Sequence, residues 1–264
     1  MTQYNLIATG AIPNATSGES NLADLYCKAL LAGISSKSNL TVCLLNGGSF
    51  SDNIYAGTIT TAQLSTAYKF NDTQVRLAIS GDTLLSLLQQ GVTAYPSRGA
   101  FPQVGNIRYS FLPVPNFQSP TGFVTHLVNA QLTNDTTVYG VGGSAVNVVL
   151  VTNSYVARGG DGYGALSNAK VLSNSSSTIN TIVAKYIDAE KNVGAPVDGR
   201  IVDCSLSGTN SFCTAQNPSG GGGGSGGSGG GSGGGASSSA HATTAFSSLA
   251  LMAAALAAVV CPWV

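Results

Sequence analysis

The sequence predicts an α+β domain over residues 1–203, followed by a disordered Gly/Ser linker and an apolar terminal signal. Three observations carry this. Every Lys, Arg, Asp and Glu lies at or before Asp203, so the globular part ends near there. Within it, apolar residues switch between the helical period and the alternating strand period. The switches follow no regular βαβ repeat, which favours an α+β arrangement.

Taken in order, residues 1–20 read as extended or looped, with Pro13 and the polar run Asn14 to Ser20. Asn21 to Gly33 reads as a helix, because Leu22, Leu25, Tyr26, Ala29 and Leu30 fall on one face. Thr41 to Leu45 is a strand that runs into a tight Asn46-Gly47-Gly48 loop. Thr60 and Gln63 have the spacing of a capping box and open a short helix to about Ala67. Gln74 to Ser80 alternates as a strand. Gly81 to Gln90 is a leucine-rich helix expected to close at Gly91. Ile107 to Leu112 and Gly122 to Leu132 are strands, and Val138 to Val151 holds one or two more. Thr178 to Lys191 is a final helix with Ile179, Ile182, Val183, Tyr186 and Ile187 on one face.

Composition narrows the partners. The formal net charge is zero, which gives no electrostatic footprint for nucleic acid or an anionic membrane surface. The five cysteines (Cys27, Cys43, Cys204, Cys213 and Cys261) form no CxxC pair, and there are only two histidines, His126 and His241. That set argues against a zinc site or a His-rich catalytic metal centre in this chain. Sequons at Asn14, Asn39, Asn71, Asn134 and Asn174 are glycan acceptors if the chain enters the secretory pathway.

The end of the chain bears on compartment. Residues 204–240 are a cysteine-containing, Gly/Ser-rich linker, and Ser219 to Gly235 is almost pure Gly and Ser. A coil of that length reaches roughly 20–25 Å. Small residues Ala236 to Ala240, a polar spacer from His241 and the apolar run Phe246 to Val264 then follow. Small residues, spacer and greasy end are the parts of a GPI-attachment signal, here over residues 241–264. A retained transmembrane helix is the competing reading, although Pro262 and the lack of a following basic residue weigh against it. Loss of the tail would remove Cys261 and leave an even set of cysteines, suited to an oxidising compartment. Met1 to Leu6 lacks a basic start and an apolar core, so a signal peptide and further sequence are expected upstream.

The stretch richest in chemistry is Tyr155 to Tyr163, after the apolar strand Val148 to Val151. It sets an aromatic before three glycines that surround Asp161. Gly159 and Gly160 let backbone approach a ligand closely, and a fixed carboxylate can accept hydrogen bonds from sugar hydroxyls. By itself such a stretch also reads as a plain Gly-rich turn.

Seven motifs in order make the reading specific: Glu19 to Leu25, Leu45 to Gly48, Gly57 to Thr60, Phe70, Ser80-Gly81, Phe101 to Gly105, and the Tyr155 stretch. Together, over about Asn14 to Val202, they resemble the C-terminal, substrate-binding domain of the 5′-nucleotidase and UDP-sugar hydrolase family. The resemblance implies a nucleoside or nucleotide ligand, with Phe70 and Tyr155 sandwiching the base, Asp161 bonding the ribose hydroxyls and Asn46 contacting the base. It implies a Cys27–Cys43 disulfide, which leaves Cys204 and Cys213 to each other. It further implies a GPI-anchored protein on the outer face of the plasma membrane, and it leaves a homodimer open.

Two departures stand out. The family's phosphate-binding arginines fall at positions occupied here by Thr16 and Ser51, which cannot supply a guanidinium's bidentate bonds. Arg158 lies within the binding stretch itself. The family's chemistry also belongs to a separate N-terminal domain, where two divalent metal ions activate a water. This chain carries no cofactor set and no catalytic residues of that kind. Two expectations follow: the substrate-binding part of a 5′-nucleotidase-like phosphohydrolase, or a non-catalytic GPI-anchored surface protein that binds nucleosides.

Overall fold

A computed structural model describes residues 16–34, 40–55, 57–96, 99–132, 147–194, 197–206 and 210–213. The linker beyond 213, the spacer and apolar end, and Asn14, Asn39 and Asn134 lie outside the described residues, as do residues 138–146 of the expected strand region. No helix among the described residues is long and apolar enough to cross a membrane.

Two sheets organise the chain. The larger runs in the order β3-β1-β6-β2-β7, where β1 is Thr41–Asn46, β2 Thr73–Ser80, β3 Pro102–Gly105, β6 Asn147–Asn153 and β7 Lys170–Thr178. Among its described strand pairs, only β1–β6 is parallel. The smaller has the order β5-β4-β8, from Ile107–Pro115 (β4), Phe123–Leu132 (β5) and Ile201–Asp203 (β8). Alternation along β1 sends Val42 and Leu44 to one side of the larger sheet and Cys43 and Leu45 to the other, so all six residues are buried. The first side meets helix α3 (Gly81–Val92) and the smaller sheet. The second meets α1 (Asn21–Ala32), α2 (Thr61–Ala67) and α5 (Ile179–Glu190).

The helices begin where their caps predict. Thr60 accepts from the Gln63 amide and Gln63 bonds back to the Thr60 amide, which completes the capping box. Ser80 and Thr178 cap α3 and α5 by accepting from the Thr83 and Thr181 amides. Gly91 is a correction. The helix runs through it to Val92, because its lack of a side chain serves packing: a Cβ there would come within 2.5 Å of the Tyr163 hydroxyl and 2.9 Å of Pro102. Two disulfides are present, Cys27–Cys43 and Cys204–Cys213. The first is fully buried between α1 and β1.

An ionic cluster ties the entrance of α1 to the strand that ends the domain. Glu19 accepts from the Asp198 and Ile201 amides at 2.8 and 3.3 Å. Arg200 bonds Asp198 at 2.8 Å and approaches Asp24 at 3.3 Å. Asp24 is 3% exposed, and burial, aided by Glu19 and opposed by Arg200, pushes its carboxyl from 3.8 up to about 8. The folded chain therefore keeps a proton that the unfolded chain releases between those values. Unfolding free energy should fall as pH rises from about 4 to about 8, at up to about 1.4 kcal/mol per unit for this group, and level off above. Urea melts across that window should show a shallower slope for Asp24→Asn; an unchanged slope would assign the proton elsewhere.

Candidate functional site

The site is built where β1 and β6 end side by side. Asn46 closes β1 and is 4% exposed, and the next residues, Gly47–Ser49, form one 3₁₀ turn. That turn lies against the chain leading into β3: the Gly47 amide donates to Phe101 O at 2.7 Å and the Gly48 amide to Gly99 O at 2.8 Å. Only glycine fits at 48, since a Cβ would sit 2.8 Å from the Gly99 Cα.

Asn153 closes β6 and caps a single helical turn, α4 (Ser154–Ala157), accepting from the Val156 amide at 2.7 Å. Its amide group donates to Asn46 Oδ1 at 2.9 Å and to Ser49 Oγ at 3.2 Å, and Ser49 Oγ donates to Asn46 Oδ1 at 2.5 Å. These bonds saturate Asn46 Oδ1 and aim its Nδ2 at Asp161, where it donates to Oδ2 at 2.7 Å. Tyr155 rides on α4 rather than at the strand end. Its hydroxyl donates to Asp161 Oδ1 at 2.9 Å, which together with partial burial raises the phenol's pKa.

The glycines shape this turn. Gly159 has φ of 89°, which reverses the chain after α4. Gly160 lies under the Tyr155 ring, where a Cβ would approach the ring carbons at 2.5 Å. Asp161 itself adopts φ of 54°, uncommon for a residue with a side chain.

Phe70 arrives from the loop before β2. It meets Tyr68 edge-on at 6.2 Å between centroids, and Tyr68 in turn stacks on Tyr26 at 5.5 Å within the core. Asp72 joins this loop to α4, accepting from Ser154 Oγ at 2.7 Å and from Tyr68 Oη at 3.3 Å. One cavity of about 430 Å³ results. Phe70, Tyr155, Asp161 and Asn46 all line it, with Arg158, Asn71, Asp72, Ser49, Gly48 and Gly99. Gly159 and Gly160 are not among its lining residues: Gly160 lies against the Tyr155 ring and Gly159 against Gly164. Asn71 and Asn174 are exposed, whereas Thr16 is half-buried and Ser51 exposed.

Sequence reasoning missed Asn153, Asp72 and Ser154. A cap signal was present, an asparagine at the end of an apolar run, but its partner Asn46 is 107 positions away in the chain. Among the described residues, Glu19, Asp24 and Asp198 could converge on an ion, but they include no histidine and already surround Arg200.

Two exposed aromatics, an oriented carboxylate and a primary amide thus gather around one cavity. The chain belongs to a known family: the model for "5′-nucleotidase, C-terminal domain" matches residues 2–168. It is similar to the 5′-nucleotidase of Diplobatis ommata, 29% identical over 76% of this chain and 36% of that protein. The 5′-nucleotidase of Mus musculus is 26% identical over 69% of this chain and 33% of its own length. Among solved structures, a 5′-nucleotidase precursor from Thermus thermophilus superposes with a TM-score of 0.61 at 25% identity, over 76% of this chain and 38% of that one. Haemophilus influenzae NAD nucleotidase shares the fold, with a TM-score of 0.56 at 21% identity over 69% of this chain and 32% of that one. The chain spans about a third of the length of these relatives.

Proposed function

We propose that the cavity is a nucleoside slot, with Phe70 and Tyr155 as its two walls, Asp161 as the ribose contact and Asn46 as a base contact. The chain is then the substrate-binding part of a 5′-nucleotidase-like phosphohydrolase acting in nucleotide catabolism. One observation carries the reading: Phe70 is 49% exposed and Tyr155 42% exposed, and both border one cavity with a carboxylate between fixed donors. Aromatic faces left open to water gain on the order of 1–3 kcal/mol per stacked base. The metal ions and the hydrolytic step belong to a partner domain of the kind this family carries.

A location on the outer face of the cell fits the two disulfides, which persist in oxidising compartments. A GPI anchor read from residues 241–264, and glycans on the exposed Asn71 and Asn174, belong to the same proposal. Thr16 and Ser51 favour a second reading, a non-catalytic surface protein that binds nucleosides.

Calorimetric titration of the chain with adenosine tests the slot. Phe70→Ala and Tyr155→Ala should each weaken binding by about tenfold or more, one stacking contact's worth. Equal affinity in both variants and the unmodified chain would remove the slot. Adenosine monophosphate binding no tighter than adenosine would favour the second reading.

A further inference from the structure

The Tyr155 hydroxyl has a task apart from the ring. It donates to Asp161 Oδ1 at 2.9 Å and accepts from the Asp161 backbone N–H at 3.2 Å. One phenol thus grips both the side chain and the backbone of the same residue. That residue needs gripping, because its φ of 54° is sparsely populated for anything but glycine and persists only where surroundings over-determine it. On the far side, Asn46 Nδ2 holds Oδ2 at 2.7 Å. The ring cannot retreat, since it is seated on Gly160, where even a Cβ would collide with it.

The acceptor count follows from this geometry. An ionised carboxylate offers about four lone-pair sites. Tyr155 takes one on Oδ1 and Asn46 takes one on Oδ2. Among the described residues, one site then remains on each oxygen, a pair matched to two neighbouring hydroxyls of a single ligand. The carboxylate is presented already oriented, so a ligand need not order it.

Resting on the nucleoside reading, we propose that Tyr155 is a positioning residue as well as a wall: its hydroxyl fixes Asp161 to recognise the vicinal diol of a ribonucleoside, and so selects ribose over deoxygenated sugars. The role of the ring and the role of the hydroxyl separate cleanly in Tyr155→Phe.

The test compares adenosine, 2′,3′-dideoxyadenosine and adenine by calorimetry on the full chain and on Tyr155→Phe. The unmodified chain should prefer adenosine to the dideoxy compound. In Tyr155→Phe, the preference for adenosine over adenine and dideoxyadenosine should shrink by about tenfold, whatever the change common to all three. Asp161→Ala provides the reference in which the preference is absent. A merely structural role for the hydroxyl would weaken all three ligands equally, and that result overturns the proposal, as does unchanged adenosine binding. If the unmodified chain binds none of the three, the slot itself fails, a result distinct from a slot that binds adenosine but ignores the hydroxyl.

Discussion

Replacing Cys27 and Cys43 together by alanine is expected to lower the unfolding free energy by about 3 kcal/mol, the chain-entropy value for a loop of this size. The bond closes a separation of 16 residues, from the middle of α1 to the middle of β1. Both cysteines are 0% exposed, so their sulfurs also fill core volume. The neighbouring backbone is fitted to them: a Cβ on Gly105 would lie 2.9 Å from Cys27 Cβ and 3.3 Å from Cys43 Cβ. Alanine at both positions leaves a void where the buried sulfurs were, which adds to the loss. Urea unfolding of the double variant, with Cys204–Cys213 intact, checks this. A decrease below about 1 kcal/mol would mean that the unfolded chain is already compact across this loop.

Asn153→Ala should damage stability and binding together. The residue is 0% exposed and serves four atoms: the Val156 amide, Asn46 Oδ1, Ser49 Oγ and, through Asn46, Asp161. Losing the cap costs about 1 kcal/mol. The buried groups left without partners cost about 1–3 kcal/mol more. Because α4 carries Tyr155 two residues later, and because Asn46 loses its brace, adenosine affinity should fall by at least the tenfold expected for either wall. Asn153→Asp separates the two tasks. It keeps the cap acceptor but cannot donate to Asn46, so it should recover part of the stability and little of the binding. Full recovery of both would show that the bonds to Asn46 and Ser49 contribute nothing.

Both predictions concern residues whose importance was unevenly visible along the chain. The helices were legible because their signals are local. Ser80 and the Thr60–Gln63 pair sit within one turn of the groups they cap. Cys27, Phe70, Tyr155, Asp161 and Asn46 were legible as a set only through the ordered motifs, since nothing about any one of them distinguishes it from a core or turn residue.

Other elements were hidden for physical reasons. Strand β7, Lys170–Thr178, carries a polar Ser-rich sequence because it is a largely exposed edge paired, among the described residues, with β2 alone, so no apolar alternation marks it. Strand β3 is four residues long, begins with a proline and is buried throughout, so it too lacks alternation. Strand β8 is three residues long and pairs in parallel with β4, about ninety positions earlier in the chain. Gly91 looked like a stop signal because the Tyr163 hydroxyl that crowds it arrives from a distant segment.

The sequence by itself determined the helix starts, the apolar strands, the family motifs and the residues to examine for a ligand, because each depends on near neighbours or on motif order. Only the tertiary structure decided which polar groups meet. It put Asp24 in the core with a raised pKa, joined Asp72 to Ser154, and set the Tyr155 hydroxyl and the Asn46 amide on opposite oxygens of Asp161. Such bonds are short in range and directional, so they exist only once packing has brought distant strand ends within about 3 Å.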